Sequence, residues 1–139
     1  MNLKFYEHNK KSPTKEYIDQ CDIEGINKMN LEHSAALQAL PFDINTFIVI
    51  TTYSHQIDRD ILAYCAKKNW AYLGMIGSKR KVLVTKKMFV VSNIGTEEEL
   101  SKIHMPIGIE INAQTPEEIA VSILAELIKV RNSIKEKNG

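Results

Sequence analysis

From residue 46 onward, the apolar positions alternate between short continuous runs and helical stripes. Thr46-Phe47-Ile48-Val49-Ile50-Thr51 is an unbroken β-branched and aromatic run, the pattern of a strand buried on both faces of a parallel sheet. Ile57, Ile61, Leu62 and Cys65 then recur at helical spacing as far as Lys68. Residues 70–76 read as the next strand, and Ser78 opens the next helix. In that segment Val82-Leu83-Val84 and Phe89-Val90-Val91 favour strand by propensity, but the serine cap and the charge pattern select helix. Thr96 with Glu99 three residues later is a capping box for a short helix to about Ile103. Residues 105–111 read as extended, with Ile107, Ile109 and Ile111 on one face. Thr115-Pro116-Glu117-Glu118 combines a threonine cap, proline at the first helical position and glutamate at the third. The helix it starts carries Ile119, Ile123, Leu127, Val130 and Ile134 down one side. A second stripe, Ala120, Leu124 and Ile128, widens the apolar face toward a further packing surface.

Residues 1–40 are less regular. Residues 3–6 read as a strand that ends in the polar cluster Glu7-His8-Asn9, and residues 10–13 as a loop. Thr14 caps a short turn through Tyr17 and Ile18, residues 22–26 form another brief strand, and residues 31–40 form a helix stopped by Pro41. Strands alternating with helices through short connections predict an α/β, Rossmann-like fold with a mostly parallel, doubly wound sheet. Ligands of such sheets lie beyond the carboxyl ends of the strands, which singles out the loops at 7–9, 52–58 and 77–81.

The bulk numbers narrow the function. A chain of 139 residues that is 44% hydrophobic and 25% charged reads as one domain, 1–139, able to bury a core. Its net charge of +1 offers no global field for nucleic acid or an acidic membrane surface, so neither is expected as a partner. Cys21 and Cys65 stand in no metal-binding spacing, which argues against a zinc site or a disulfide scaffold and for a reducing, cytoplasmic setting. Cys65 reads as a small core residue. No run has the length of a signal-peptide core or a membrane span.

Candidate chemistry concentrates in Gly77-Ser78-Lys79-Arg80-Lys81. A helix start carries partial positive charge and unpaired N–H groups, so acids are favoured there. Three cations in that turn oppose the dipole and repel one another, an arrangement that an anionic, phosphate-bearing ligand would relieve. His55 and Asp58 follow a strand's carboxyl end and read either as a turn with a helix cap or as ligand contacts. Glu7 and His8 suit a ribose or other ligand hydroxyl, or simply an exposed turn. Glu117 and Glu118 are explained by capping. Gly108 reads as allowing close backbone approach, His104 as structural, and Glu126, inside an apolar helix, as needing a partner. No nucleophile with an adjacent base stands out, so the chain reads as a binding module and not as a free-standing enzyme.

These residues carry a resemblance. Tyr72, Gly74, Ile76, Gly77, Ser78 and Lys81 match a Tyr-x-Gly-x-Ile-Gly-Ser-x-x-Lys element. Pro106-Ile107-Gly108 is followed by Thr115-Pro116-Glu117-Glu118-Ile119-Ala120 and Ser122-Ile123-Leu124-Ala125-Glu126. In this order, over residues 46–131, the chain resembles the C-terminal Rossmann-like domain of the xanthine dehydrogenase accessory family (XdhC/CoxI). The resemblance implies an accessory factor for molybdenum hydroxylases that holds the molybdenum cofactor, a pterin carrying a phosphate, for a client enzyme. The cofactor contacts it implies are Gly77, Ser78, Lys79, Arg80, Lys81, His55, Asp58 and Glu7.

The sequence also departs from the family pattern. The family's Thr-His-Asp-His-x-x-Asp motif is Thr52-Tyr53-Ser54-His55-Gln56-Ile57-Asp58 here, and no Gly-x-Gly-His turn occurs. Residues 3–6 resemble the family's second strand, with Glu7 at its acidic position. The domain therefore reads as truncated at its N-terminus, lacking the usual first strand and glycine-rich loop. Loss of a central strand leaves unpaired edges, for which a rearranged sheet or a homodimer is expected. Two other readings stand beside this one. The first is a dinucleotide-binding domain taking NAD at the same helix start, and the second is a ligand-free subunit acting through its long C-terminal helix.

Overall fold

The computed structural model describes residues 3–6, 24–29, 33–52 and 54–139. Glu7, His8, the turn at Thr14, Cys21 and Tyr53 lie outside the described residues. Along the chain run β1 (Leu3–Tyr6), β2 (Ile26–Met29), α1 (His33–Ala39), β3 (Phe47–Ile50) and α2 (His55–Cys65). There follow β4 (Tyr72–Met75), α3 (Lys79–Val91), α4 (Glu97–Ser101) and α5 (Pro116–Asn138). This is a Rossmann-like α/β domain, and both strand pairings are parallel.

The pairing is split. β1 pairs with β2, Leu3 opposite Ile26, and β3 pairs with β4, Phe47 opposite Tyr72. Among the described residues no ladder joins the two pairs. Among the described residues there are two short sheets instead of one doubly wound sheet. β2 also starts later than the 22–26 expected, because Glu24 and Gly25 form a turn, with Gly25 at φ 85, and the extended run begins only after it.

β3 and β4 differ in burial. All four residues of β4 are buried, whereas Val49 of β3 is 40% exposed, which corrects the expectation that residues 46–51 are covered on both faces. β4 has a neighbour on each edge. β3 pairs on one side and residue 104 on the other, with His104 N–H donating to Leu73 O and Met75 N–H to His104 O. Among the described residues β3 has only β4.

The segment 105–111 is likewise not a regular strand. Ile107 N–H donates to Met75 O, but Gly108 at φ 95 and Asn112 at φ 56 bend the chain away. Ile107 is therefore buried, while Ile109 and Ile111 emerge on the surface. Residues 79–91 do form a helix, against the strand propensity of their valines, with Val82, Thr85 and Phe89 facing inward at helical spacing.

The core gathers Ile50 of β3, Leu73 and Met75 of β4, Leu62 and Cys65 of α2, and Val82 and Phe89 of α3, closed by Leu100 and Ile103. Burial of that apolar surface is the main stabilising contribution. α5 lies over this body with Ile119, Ile123, Leu127, Val130 and Ile134 half-buried. Its second stripe stays in solvent, Leu124 at 57% and Ile128 at 48% exposure. Among the described residues no helix is long and apolar enough to cross a membrane.

Candidate functional site

Parallel pairing puts two helix starts on one edge of the β3–β4 sheet. Ile50 lies opposite Met75, and Ile76 N–H donates to Ile50 O at 3.0 Å, so the loops leading to α2 and α3 leave neighbouring strand ends. Each helix brings unpaired N–H groups and about half a positive charge to that edge.

At α3 the cap forms as the sequence predicts, with Ser78 Oγ accepting from Lys81 N–H, but at a long 3.4 Å. The first turn holds no acid. Lys79, Arg80 and Lys81 are exposed, and among the described residues none has an ion-pair or hydrogen-bond partner for its side chain. Three unneutralised cations thus sit where the dipole already repels them. Gly77 adds a second signal. A Cβ there would meet only Val82 and Lys81 carbons, at 3.6 and 3.8 Å, which is ordinary contact. Packing within the chain does not demand glycine at this position, and its bare backbone leaves room over the turn.

His55 and Asp58 open α2 on the same edge. Asp58 is buried, 1% exposed, and its Oδ1 accepts from both the N–H (2.9 Å) and the hydroxyl (2.7 Å) of Thr52. The carboxylate therefore ties the end of β3 to the first turn of α2, which Ser54 caps by position without a side-chain bond. Among the described residues its second oxygen has no hydrogen-bond partner, and it lies 3.9 Å from Nδ1 of His55, whose side chain is 42% exposed. An orphaned buried carboxylate oxygen is costly. A donor on a ligand, or a small turn of the His55 ring, would satisfy it. Asp58 so serves the fold, and its second oxygen is buried beneath the edge.

The contacts that the sequence left unassigned form a second cluster. Glu126 Oε1, from α5, accepts from the Tyr72 hydroxyl (2.5 Å) and from Gly108 N–H (3.0 Å), and lies 3.3 Å from His104 Nδ1. The Tyr72 ring stacks between Phe47, 5.9 Å away, and His104, 4.5 Å away. Burial, followed by the hydrogen bond and charge of Glu126, pushes the Tyr72 hydroxyl well above its ordinary pKa. Ser122 donates to Ile109 O while Ile109 N–H donates to Ser122 O. Glycine is required twice here. A Cβ on Gly74 would stand 2.6 Å from the Tyr72 hydroxyl and 2.7 Å from Ile107, and one on Gly108 would collide with Ser122 Oγ. Tyr72, Gly74, Gly108, Ser122 and Glu126, all within the matched motifs, thus hold α5 to β4. The signal available in the sequence was Glu126 inside an apolar helix, which had to have a partner.

An open concavity lies elsewhere among the described residues, between the last turns of α3 and α4, far along α3 from its cationic start. Among the described residues no group of three or more His, Cys, Asp or Glu is placed to hold a metal.

Against known proteins, residues 6–127 match the family described as XdhC Rossmann domain. The chain is 35% identical over 99 residues to YqeB of Escherichia coli (strain K12), covering 71% of this chain and 18% of that protein. It is 33% identical over 86 residues to a probable xanthine dehydrogenase subunit of Bacillus subtilis (strain 168), covering 62% of this chain and 24% of the relative. A crystal structure of a xanthine dehydrogenase from Bacillus halodurans superposes with a TM-score of 0.74 at 23% identity. It covers 96% of this chain and 36% of that one, a likeness of fold. The chain therefore spans a quarter or less of the curated relatives it matches.

Proposed function

The chain belongs to the XdhC Rossmann domain family, and we propose that it is the ligand-holding domain of an accessory factor in a xanthine dehydrogenase system. Its ligand is an anionic pterin, the molybdenum cofactor, and its partner is the client molybdenum hydroxylase. The observation that carries this reading is the set of three exposed cations, Lys79, Arg80 and Lys81, in the first turn of α3, without a side-chain partner among the described residues.

The residues fit the group at both of its ends. The phosphate finds the α3 N–H groups, the three cations and the open backbone of Gly77. The pterin ring meets, on the same strand edge, the half-exposed His55, and Asp58 lies buried behind it, 3.9 Å from His55 Nδ1. When bound, the cofactor supplies its own metal chemistry, and this chain's residues only bind and orient it.

The test is an anaerobic titration with isolated molybdenum cofactor and separately with NAD. It is followed through Trp70, half-buried against the core, and by calorimetry. Saturable binding of the pterin, weakened at least tenfold in a Lys79→Ala, Arg80→Ala, Lys81→Ala variant, is the expected result. NAD-selective binding, or no heat with either ligand, would overturn it.

A further inference from the structure

We infer that the outer face of α3 is the surface on which this chain receives its client, and that it takes a patch of that protein where carboxylates are set among apolar side chains. The inference rests on the proposed function and adds where, and by what chemistry, the client docks. The buried side of α3 is a narrow stripe, Val82, Thr85 and Phe89. The other side leaves Leu83, Val84, Met88, Val90 and Val91 exposed, Leu83 at 68% and Val91 at 78%. Five large apolar side chains in solvent on one short helix mark an interaction surface.

The charge on this helix says what covers it. α3 carries five cations, Lys79, Arg80, Lys81, Lys86 and Lys87, and no acid. The chain has 18 cations against 17 acids, so the rest of it carries 13 against 17. A near-neutral chain thus gathers positive charge along a single helix, and a negatively charged partner surface complements it. The cations stand among the apolar positions. Lys87 has Leu83 and Val84 at i−4 and i−3, and Val90 and Val91 at i+3 and i+4. A helix that lies on a bilayer separates its basic face from an apolar face rich in Trp, Phe or Leu. Here the two kinds are interleaved, and Phe89, the one aromatic residue of α3, is buried. An apolar protein patch with carboxylates placed to meet Lys87 and Arg80 fits better. Lys86, Lys87, Val90 and Val91 also form one wall of the open concavity of about 460 Å³, with Glu97 and Leu100 of α4 opposite, so a partner side chain has a place to insert. The face begins beside the cationic turn at 79–81, which brings a docked client next to the ligand's anionic end.

The test is calorimetric binding of the full chain to purified, cofactor-free xanthine dehydrogenase of the same organism. Binding is expected, and it should weaken at least tenfold between about 0.05 M and about 0.5 M salt. Lys87→Glu and, separately, Val91→Asp should each weaken it at least tenfold at low salt. Both positions are exposed, so the far-ultraviolet spectrum should not change. Lys87 lies outside the proposed ligand contacts, so Lys87→Glu should bind the pterin as wild type does. A chain that binds the pterin but not the client, or a client that binds both variants as well as wild type, would overturn the inference and leave the ligand reading standing. A chain that binds neither would overturn both. Co-sedimentation with phosphatidylserine–phosphatidylcholine vesicles that is lost in Lys87→Glu would give the face to a bilayer. A solution mass that falls in Val91→Asp would give it to a second copy, and either result would overturn the inference.

Discussion

Two regions share the Tyr72-x-Gly74-x-Ile76-Gly77-Ser78-x-x-Lys81 motif and treat polar groups in opposite ways. At Tyr72, Glu126 and Gly108, one carboxylate oxygen takes two hydrogen bonds and faces an imidazole, and the tyrosine is fully buried. A few residues on, Lys79, Arg80 and Lys81 stand in solvent with no partner among the described residues, against the dipole of their own helix. The glycines divide along the same line. Gly74 and Gly108 have no room for a Cβ, and at Gly77 one would make only ordinary contacts. Part of the motif therefore keeps α5 on the sheet, and part keeps a surface open. A residue shared with the family is not thereby a ligand contact.

The sharpest way to break this contrast is to fill the glycines. Gly108→Ala puts a Cβ against Ser122 at a positive φ and should cost about 3 kcal/mol, overpacking and backbone strain combined, read from urea unfolding. Gly77→Ala, whose Cβ would make only ordinary contacts, should unfold within about 0.5 kcal/mol of wild type, as surface changes generally do. Equal losses at the two positions would erase the distinction.

Next in size, Glu126→Ala strands the Tyr72 hydroxyl and Gly108 N–H in a buried setting. It should cost about 2 kcal/mol, whereas Tyr72→Phe, which leaves Glu126 its other donors, should cost about 1 kcal/mol in the same assay.

Alkaline titration probes the buried side through its acids. Burial pushes the Cys65 thiol up from 9.0 to about 12, with Lys68 opposing, and Tyr72 is raised from its ordinary 10.0. Both groups lose their protons more readily in the unfolded chain. Their contribution is therefore complete below pH 9 and declines as pH rises from about 9 toward 12. Cys65→Ala should make that decline shallower, and a slope unchanged in the variant would show that the thiol is not held neutral.

The smallest expected effect on stability is at the cationic turn. The triple alanine variant at 79–81 removes repulsion at a helix start and should leave stability unchanged or raise it by about 0.5 kcal/mol. A loss of stability there would mean that the three cations hold the fold after all.

The elements are legible where their signals are local. The Thr96 capping box and the Thr115-Pro116 start form as the sequence predicts, and Ser78 does cap α3. Each depends on residues within one helical turn, which the chain order alone brings together. The strand expected at 22–26 lies further on because Gly25 reads equally as a strand residue or a turn until its φ is known.

The amino-acid sequence by itself determined the alternation of elements, the family, and the conflict between three cations and a helix dipole, since all are written in neighbouring residues. Only the tertiary structure decided that Tyr72 and Glu126, 54 positions apart, share a hydrogen bond. It also decided that Asp58 faces Thr52 and is buried, and that Val49 is half bare while all of β4 is covered. Burial and long-range pairing depend on which surfaces the folded chain lays together. The same apolar run is a core strand or an exposed edge according to what lies beside it.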